Sequence, residues 1–405
     1  MTQNNYDPSA LLSARTTAIE EAGIIRMSQK ARDLAAEGRT IVSLTLGEPD
    51  FDTPAAIRKA AIEAMEAGYT HYGPVPGYPE LREAIAEKLR VENGLAYGAG
   101  EVVVTNGAKQ ALTDAIYALV DEGDEVIVLA PYWASYAGII KMAGGRVVEV
   151  ASTIDDDFKA PPERIADAIT PRTKAILMNS PCNPSGAVYS RAELEALAEV
   201  VRAHPHLCII ADEIYEYIVF EGEHVSIGTL EGMAERTITI NGLSKSFAMT
   251  GWRLGYLAAP APIAKAASKV QGTFTSAANS FVQRAAIAAL KGDRTACEEM
   301  RETYRKRRDA VMARLAACPG IETMTPPGTF YVFPDVSALL GREIDGRVLA
   351  DTDAFCDWLL EAHGLATVPG SAFGDARCVR LSFAASDAQL DDGLSRFEAA
   401  LKALS

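Results

Sequence analysis

The stretch Leu207-Cys208-Ile209-Ile210-Ala211-Asp212-Glu213-Ile214-Tyr215 decides how this chain is read. An uncharged, apolar run leads straight into a pair of carboxylates. A strand with one wet face alternates apolar and polar residues, whereas an unbroken apolar run suits a strand covered on both faces. Just upstream, residues 191–203 carry a helical pattern opened by Ser190 and Glu193, whose spacing predicts a capping box. Helix, covered strand, then polar residues at the strand's carboxyl end is the repeating unit of an α/β sheet.

The same unit recurs outward. Strands are expected at 101–105, 125–129, 146–150, 174–178, 237–240 and 255–258 as well as 207–211, and Val102-Val103-Val104 is again apolar on both faces. Helical crossovers between such strands make the sheet mainly parallel and seven-stranded. Two remnants lie outside this core. Residues 1–49 read as an N-terminal arm and part of a second unit. Residues 291–405 begin with a charged helical pattern through Arg301, Arg305, Arg308 and Arg314, then show strands at 329–333 and 379–383. The expected organisation is a large α/β domain over 50–290 and a smaller α+β domain built from both chain ends.

Composition narrows the function. With 405 residues, 48% apolar and 23% charged, the chain has ample material for a core and no signature of disorder. Its 39 basic against 54 acidic residues give a net charge of −15, which argues against a phosphate-tracking nucleic-acid binder. The six cysteines show no C-x-x-C spacing and read as free thiols, and His204 and His206 flank Pro205 in a solvated connection, so no metal site is expected. Residues 1–10 hold no apolar signal core and no later run is long enough to span a membrane, so a cytoplasmic protein is expected.

Ligands of open α/β sheets bind beyond the carboxyl ends of the strands. After 101–105 comes Asn106-Gly107-Ala108-Lys109 at a helix start, where free backbone N–H groups and the helix dipole suit a phosphate. After 207–211 comes Asp212, an acid whose burial needs a cation or several donors. After 237–240 comes Asn241-Gly242-Leu243-Ser244-Lys245-Ser246-Phe247-Ala248-Met249-Thr250-Gly251-Trp252-Arg253-Leu254-Gly255-Tyr256. A lysine set among small and apolar residues, followed by an arginine between Trp and Leu, is not a solvated charge run.

On that segment the chain resembles the class I, fold-type I pyridoxal-phosphate aminotransferases of the bacterial aspartate aminotransferase type. The resemblance extends through Gly47-Glu48-Pro49-Asp50-Phe51, Tyr72-Gly73-Pro74, Pro131-Tyr132-Trp133, Asn183-Pro184-Ser185-Gly186, Asp212-Glu213-Ile214-Tyr215 and Val379-Arg380-Leu381-Ser382-Phe383, in order along the chain. It implies pyridoxal 5'-phosphate as cofactor, held by Lys245 as a Schiff base, with Lys245 then moving the substrate's α-proton. It also implies Asp212 on the pyridine nitrogen, Asn183 and Tyr215 on the ring hydroxyl, and Trp133 stacked on the ring. The phosphate would rest on Gly107, Ala108, Ser244 and Arg253, with Tyr72 reaching in from a neighbouring subunit of a homodimer. Arg380, assisted by Asn183 and Gly47, would grip the substrate carboxylate.

Lys109 sits in a first helical turn, where the dipole opposes a cation, so it calls for an anion. In the resembled subgroup a lysine here faces the substrate's distal carboxylate. That points to aspartate or glutamate as donor and 2-oxoglutarate or oxaloacetate as acceptor, with the cofactor phosphate as the other partner open to Lys109. Ile24 departs from the small hydroxyl residues of acid-specific relatives and makes that wall apolar, which keeps aromatic substrates or prephenate in play. A lyase of the same fold is the further alternative.

Overall fold

The computed structural model describes residues 7–19 and 23–404, apart from the Ile24 side chain; the expectations placed on Ile24 and on the first six residues fall outside it. Its centre is a seven-stranded sheet. In chain order the strands are β1 (Val102–Thr105), β2 (Glu125–Ala130), β3 (Arg146–Ala151), β4 (Thr173–Asn179), β5 (Cys208–Asp212), β6 (Thr237–Gly242) and β7 (Gly255–Ala258). In space they run β1-β7-β6-β5-β4-β2-β3. β2 to β6 are mutually parallel, while β7 is antiparallel to both of its neighbours.

The apolar runs are apolar because both faces are covered. Val126 and Val128 pack on one side with Leu177, Ile210 and Leu257, and Ile127 and Leu129 pack on the other with Ile176, Met178 and Ile209. The helix that precedes β5 spans Arg191–Arg202, and its capping box forms: the Glu193 N–H donates to Ser190 Oγ at 3.3 Å and the Ser190 N–H to Glu193 Oε2 at 2.7 Å. Five strands, β2 to β6, run one or two residues past their expected carboxyl ends; in β4 and β5 the added residues are Asn179 and Asp212, which still pair across the ladder despite their polar side chains.

A separate core joins the two chain ends. Val42–Ser43 pairs in parallel with Leu365–Ala366, and Met27, Val42 and Leu44 share an apolar cluster with Tyr304, Phe355, Leu394 and Phe397. Here Val379–Ser382 lies between Tyr331–Val332 and Val368–Pro369 in an antiparallel sheet. Tyr215 and Ile218, from the chain beyond β5, reach into this cluster, so the two cores meet beside the carboxyl end of β5.

Candidate active site

The carboxyl ends of β4, β5 and β6 lie abreast, since Asn179 registers with Asp212 and Asp212 with Ile240. Asn183 follows β4, Asp212 ends β5, Tyr215 follows it, and Ser244 and Lys245 follow β6. β1 leads into Gly107, which precedes the Ala108–Leu119 helix, and Trp133 follows β2. Because β7 is antiparallel, its start faces this same edge. That brings Arg253 and Gly255 beside the Gly107 turn, so close that a Cβ on Gly255 would lie 2.4 Å from the Ala108 nitrogen. Arg380 arrives from the second core, on Val379–Ser382.

Together these residues enclose a cavity of about 310 Å³. Gly47, Ala108, Lys109, Trp133, Asn183, Asp212, Tyr215, Ser244, Lys245, Arg253 and Arg380 all line it. Gly107 stands behind the wall, where its φ of +86° and the Arg253 guanidinium leave no room for a Cβ. Tyr72 is elsewhere: it is 95% exposed, in an outer cleft with Tyr69 and Phe281.

Charge and burial set the chemistry. Lys245 Nζ donates to the Gly47 carbonyl, and burial lowers its pKa to about 8, against the pull of Glu48. Asp212 is 4% exposed, and burial raises its pKa to about 6 although the Tyr136 hydroxyl donates to Oδ2 at 2.7 Å. Arg380 is 1% exposed; it donates to Asn183 Oδ1 at 2.8 Å and to the Thr45 carbonyl at 2.6 Å, while its Nε has no partner among the described residues. A buried guanidinium with an unsatisfied N–H is prepared for a carboxylate. Arg253 donates to the carbonyls of Thr250 and Asn106 at 3.0 and 3.3 Å, which fixes its fork beside the first turn of the Ala108–Leu119 helix.

Lys109 Nζ lies 4.8 Å from the centre of the Trp133 ring, and among the described residues no carboxylate pairs with it. Crowding by protein atoms and the nearby Arg253 charge both lower its pKa. The pocket is therefore lined by four basic side chains, Lys109, Lys245, Arg253 and Arg380, and by the carboxylate of Asp212.

Several lining residues escaped the sequence reading. Tyr136 and Asn179 sit just after or at the end of strands, where the carboxyl-end rule would have found them. Tyr331, whose hydroxyl lies 3.0 Å from that of Tyr215, carries no such mark, because it sits in a strand that reads as core.

The family description "Aminotransferase class I and II" matches residues 39–397. The chain belongs to this family. An aspartate/prephenate aminotransferase of Cereibacter sphaeroides is 43% identical over 98% of this chain and 100% of its own, and one from Thermus thermophilus is 44% identical over 95% and 97%. The crystal structure of the aspartate aminotransferase from Rhizobium meliloti superposes with a TM-score of 0.95 at 42% identity, covering 97% of this chain and 99% of that one. The protein is thus an aminotransferase, with the α/β architecture of aspartate aminotransferases. Among its described residues no helix is long and apolar enough to cross a membrane.

Proposed function

We propose that this aminotransferase moves the amino group of aspartate or glutamate to a 2-oxo acid, oxaloacetate or 2-oxoglutarate, with pyridoxal 5'-phosphate in the central cavity. The observation that carries the substrate class is Lys109, an ammonium that lines the same pocket as Arg380 and, among the described residues, has no carboxylate partner. Two such cations in one pocket suit a dicarboxylate.

The residues fit the cofactor. A buried carboxylate faces the pocket for a ring nitrogen, and a buried amine of depressed pKa stands ready for an aldehyde. Helix N–H groups at Gly107 and Ala108, Ser244 and the Arg253 fork form a cradle for a phosphate. When bound, pyridoxal phosphate supplies an electron sink at the substrate's α-carbon.

The chain supplies the rest. Arg380 holds the α-carboxylate by its fork, and Asn183, whose Oδ1 accepts from Arg380, keeps its amide nitrogen as the donor for the ring hydroxyl, shared with Tyr215. Trp133 covers one ring face. Lys245 would take up the substrate's α-proton and return it two bonds away, at the former aldehyde carbon of the cofactor. Tyr72 is the residue a second copy would lend to the phosphate in a homodimer; its near-complete exposure, and that of Leu11 and Leu12 at 72% and 57%, supports a partner. The division at residues 49 and 290 is proposed from the two separate cores, and a cytoplasmic setting from six free thiols.

A second reading, a bulkier acceptor such as prephenate or an aromatic donor, is favoured by a neighbouring cleft of about 1050 Å³ that shares Lys109 and has Tyr117, Phe274, Ile139 and Met142 on its walls. A panel of half-reactions separates the two. The bound cofactor's absorbance is followed after mixing with aspartate, glutamate, alanine or phenylalanine, then after adding each oxo acid. Dicarboxylate preference is expected, and a faster response to alanine than to aspartate would refute the proposal.

A further inference from the structure

We infer that Tyr136 is a positioning residue that keeps Asp212 ionised and aimed at the cofactor's ring nitrogen, an inference that rests on the proposed pyridoxal-phosphate site. Tyr136 lies on the Ser135–Met142 helix with 1% of its surface exposed, and its hydroxyl donates to Asp212 Oδ2 at 2.7 Å. Apart from it, the described donor to the Asp212 carboxylate is the Ile214 N–H, a longer bond to Oδ1 at 3.3 Å. The Asp212 carbonyl is separately fixed by Asn179 Nδ2 at 2.8 Å and the Ser180 N–H at 3.2 Å. The main chain is therefore held without Tyr136, and the carboxylate is not.

A carboxylate this deeply buried drifts toward its neutral form unless donors hold the charge. As an acid it would offer the ring nitrogen no anion. Tyr136 counters this with a phenolic proton that has no other acceptor among the described residues. Its ring is braced edge-on by Trp133 at 5.6 Å and flanked by Tyr132 at 6.4 Å, so the hydroxyl cannot swing away at little cost. A carboxylate oxygen pinned from behind leaves the remaining lone pairs of Asp212 for the cavity it lines.

The test uses binding. Tyr136→Phe keeps the ring and removes one oxygen. Cofactor-free wild type, Tyr136→Phe, Asp212→Asn and the double variant are titrated, by quenching of tryptophan fluorescence, with pyridoxal phosphate and with its analogue in which C–H replaces the ring nitrogen. Wild type is expected to prefer pyridoxal phosphate. Tyr136→Phe should weaken pyridoxal phosphate by roughly ten- to a hundredfold, the range for a hydrogen bond to a charged group, and leave the analogue unchanged. In the Asp212→Asn background the same change should add nothing. An equal loss for both ligands would make Tyr136 a packing or direct contact residue and overturn the inference, as would an undiminished preference for pyridoxal phosphate. Wild type that binds neither ligand would instead refute the cofactor site.

Discussion

If Lys109 holds the substrate's far carboxylate as proposed, replacing it with alanine removes recognition of that end and leaves the rest of the pocket in place. In the free protein the ammonium rests over Trp133 at 4.8 Å, in the first turn of the Ala108–Leu119 helix. The helix dipole opposes a cation there by about 0.3–1 kcal/mol, so the variant should be no less stable than the parent. Losing the partner of a fully buried charge costs about 3–5 kcal/mol. Lys109 keeps contact with solvent, which brings the expected loss to about 1–2 kcal/mol, roughly a five- to thirtyfold rise in the Michaelis constant. That rise should appear for aspartate and glutamate and be absent for alanine and phenylalanine. Stopped-flow half-reactions across the four donors measure it. Equal losses for all four would place Lys109 on the cofactor phosphate, and no loss for any would leave it without a role.

Arg380→Lys keeps the charge but not the fork, and breaks the bonds to Asn183 and Thr45 as well, so kcat/KM should fall about 10²- to 10³-fold for acidic and neutral donors alike; a loss confined to acidic donors would contradict the α-carboxylate role. With the Lys245 pKa lowered to about 8, about one amine in ten is free at pH 7, against roughly one in three thousand for an ordinary lysine. Capture of pyridoxal phosphate by the cofactor-free protein should therefore accelerate with pH and level off just above 8, and a rate still climbing at pH 10 would contradict the burial. His224 is paired with Glu213 at 3.1 Å, with Glu216, Ser226 and Lys88 around it, and the carboxylates raise its pKa above 6.5. Its charged form favours the folded state, so this stability is complete below pH 6.5 and lost as pH rises through the raised value. Thermal melts of wild type should show that decline and those of His224→Gln should not.

The fold was legible because its main signal is local. A short β-branched apolar run such as Cys208-Ile209-Ile210-Ala211, bounded by turn residues, suits a covered strand, and Ser190 with Glu193 marks a helix start within one turn. In the large sheet errors stayed at strand ends, where Asn179 and Asp212 look like loop residues but complete the ladder, whereas the short strands Val42–Ser43, Leu365–Ala366 and Val368–Pro369 of the second core were missed. Much of the site was legible for a related reason: loops beyond parallel strands collect at one edge, and the ordered motifs from residue 47 to 383 carried the rest.

What the sequence determined by itself is therefore the seven strands of the large sheet, the edge where the cavity lies and the lysine, aspartate and arginines that line it. Tertiary structure alone decided which oxygen meets which proton. Arg253 precedes its strand rather than following it and reaches the site only because β7 runs antiparallel. Tyr331 and Arg380 come from strands of the second core, and Tyr136 meets Asp212 across 76 positions of chain. Such contacts depend on the packing of elements distant in sequence, and no local periodicity encodes the distance between two side chains that only the closed core brings together.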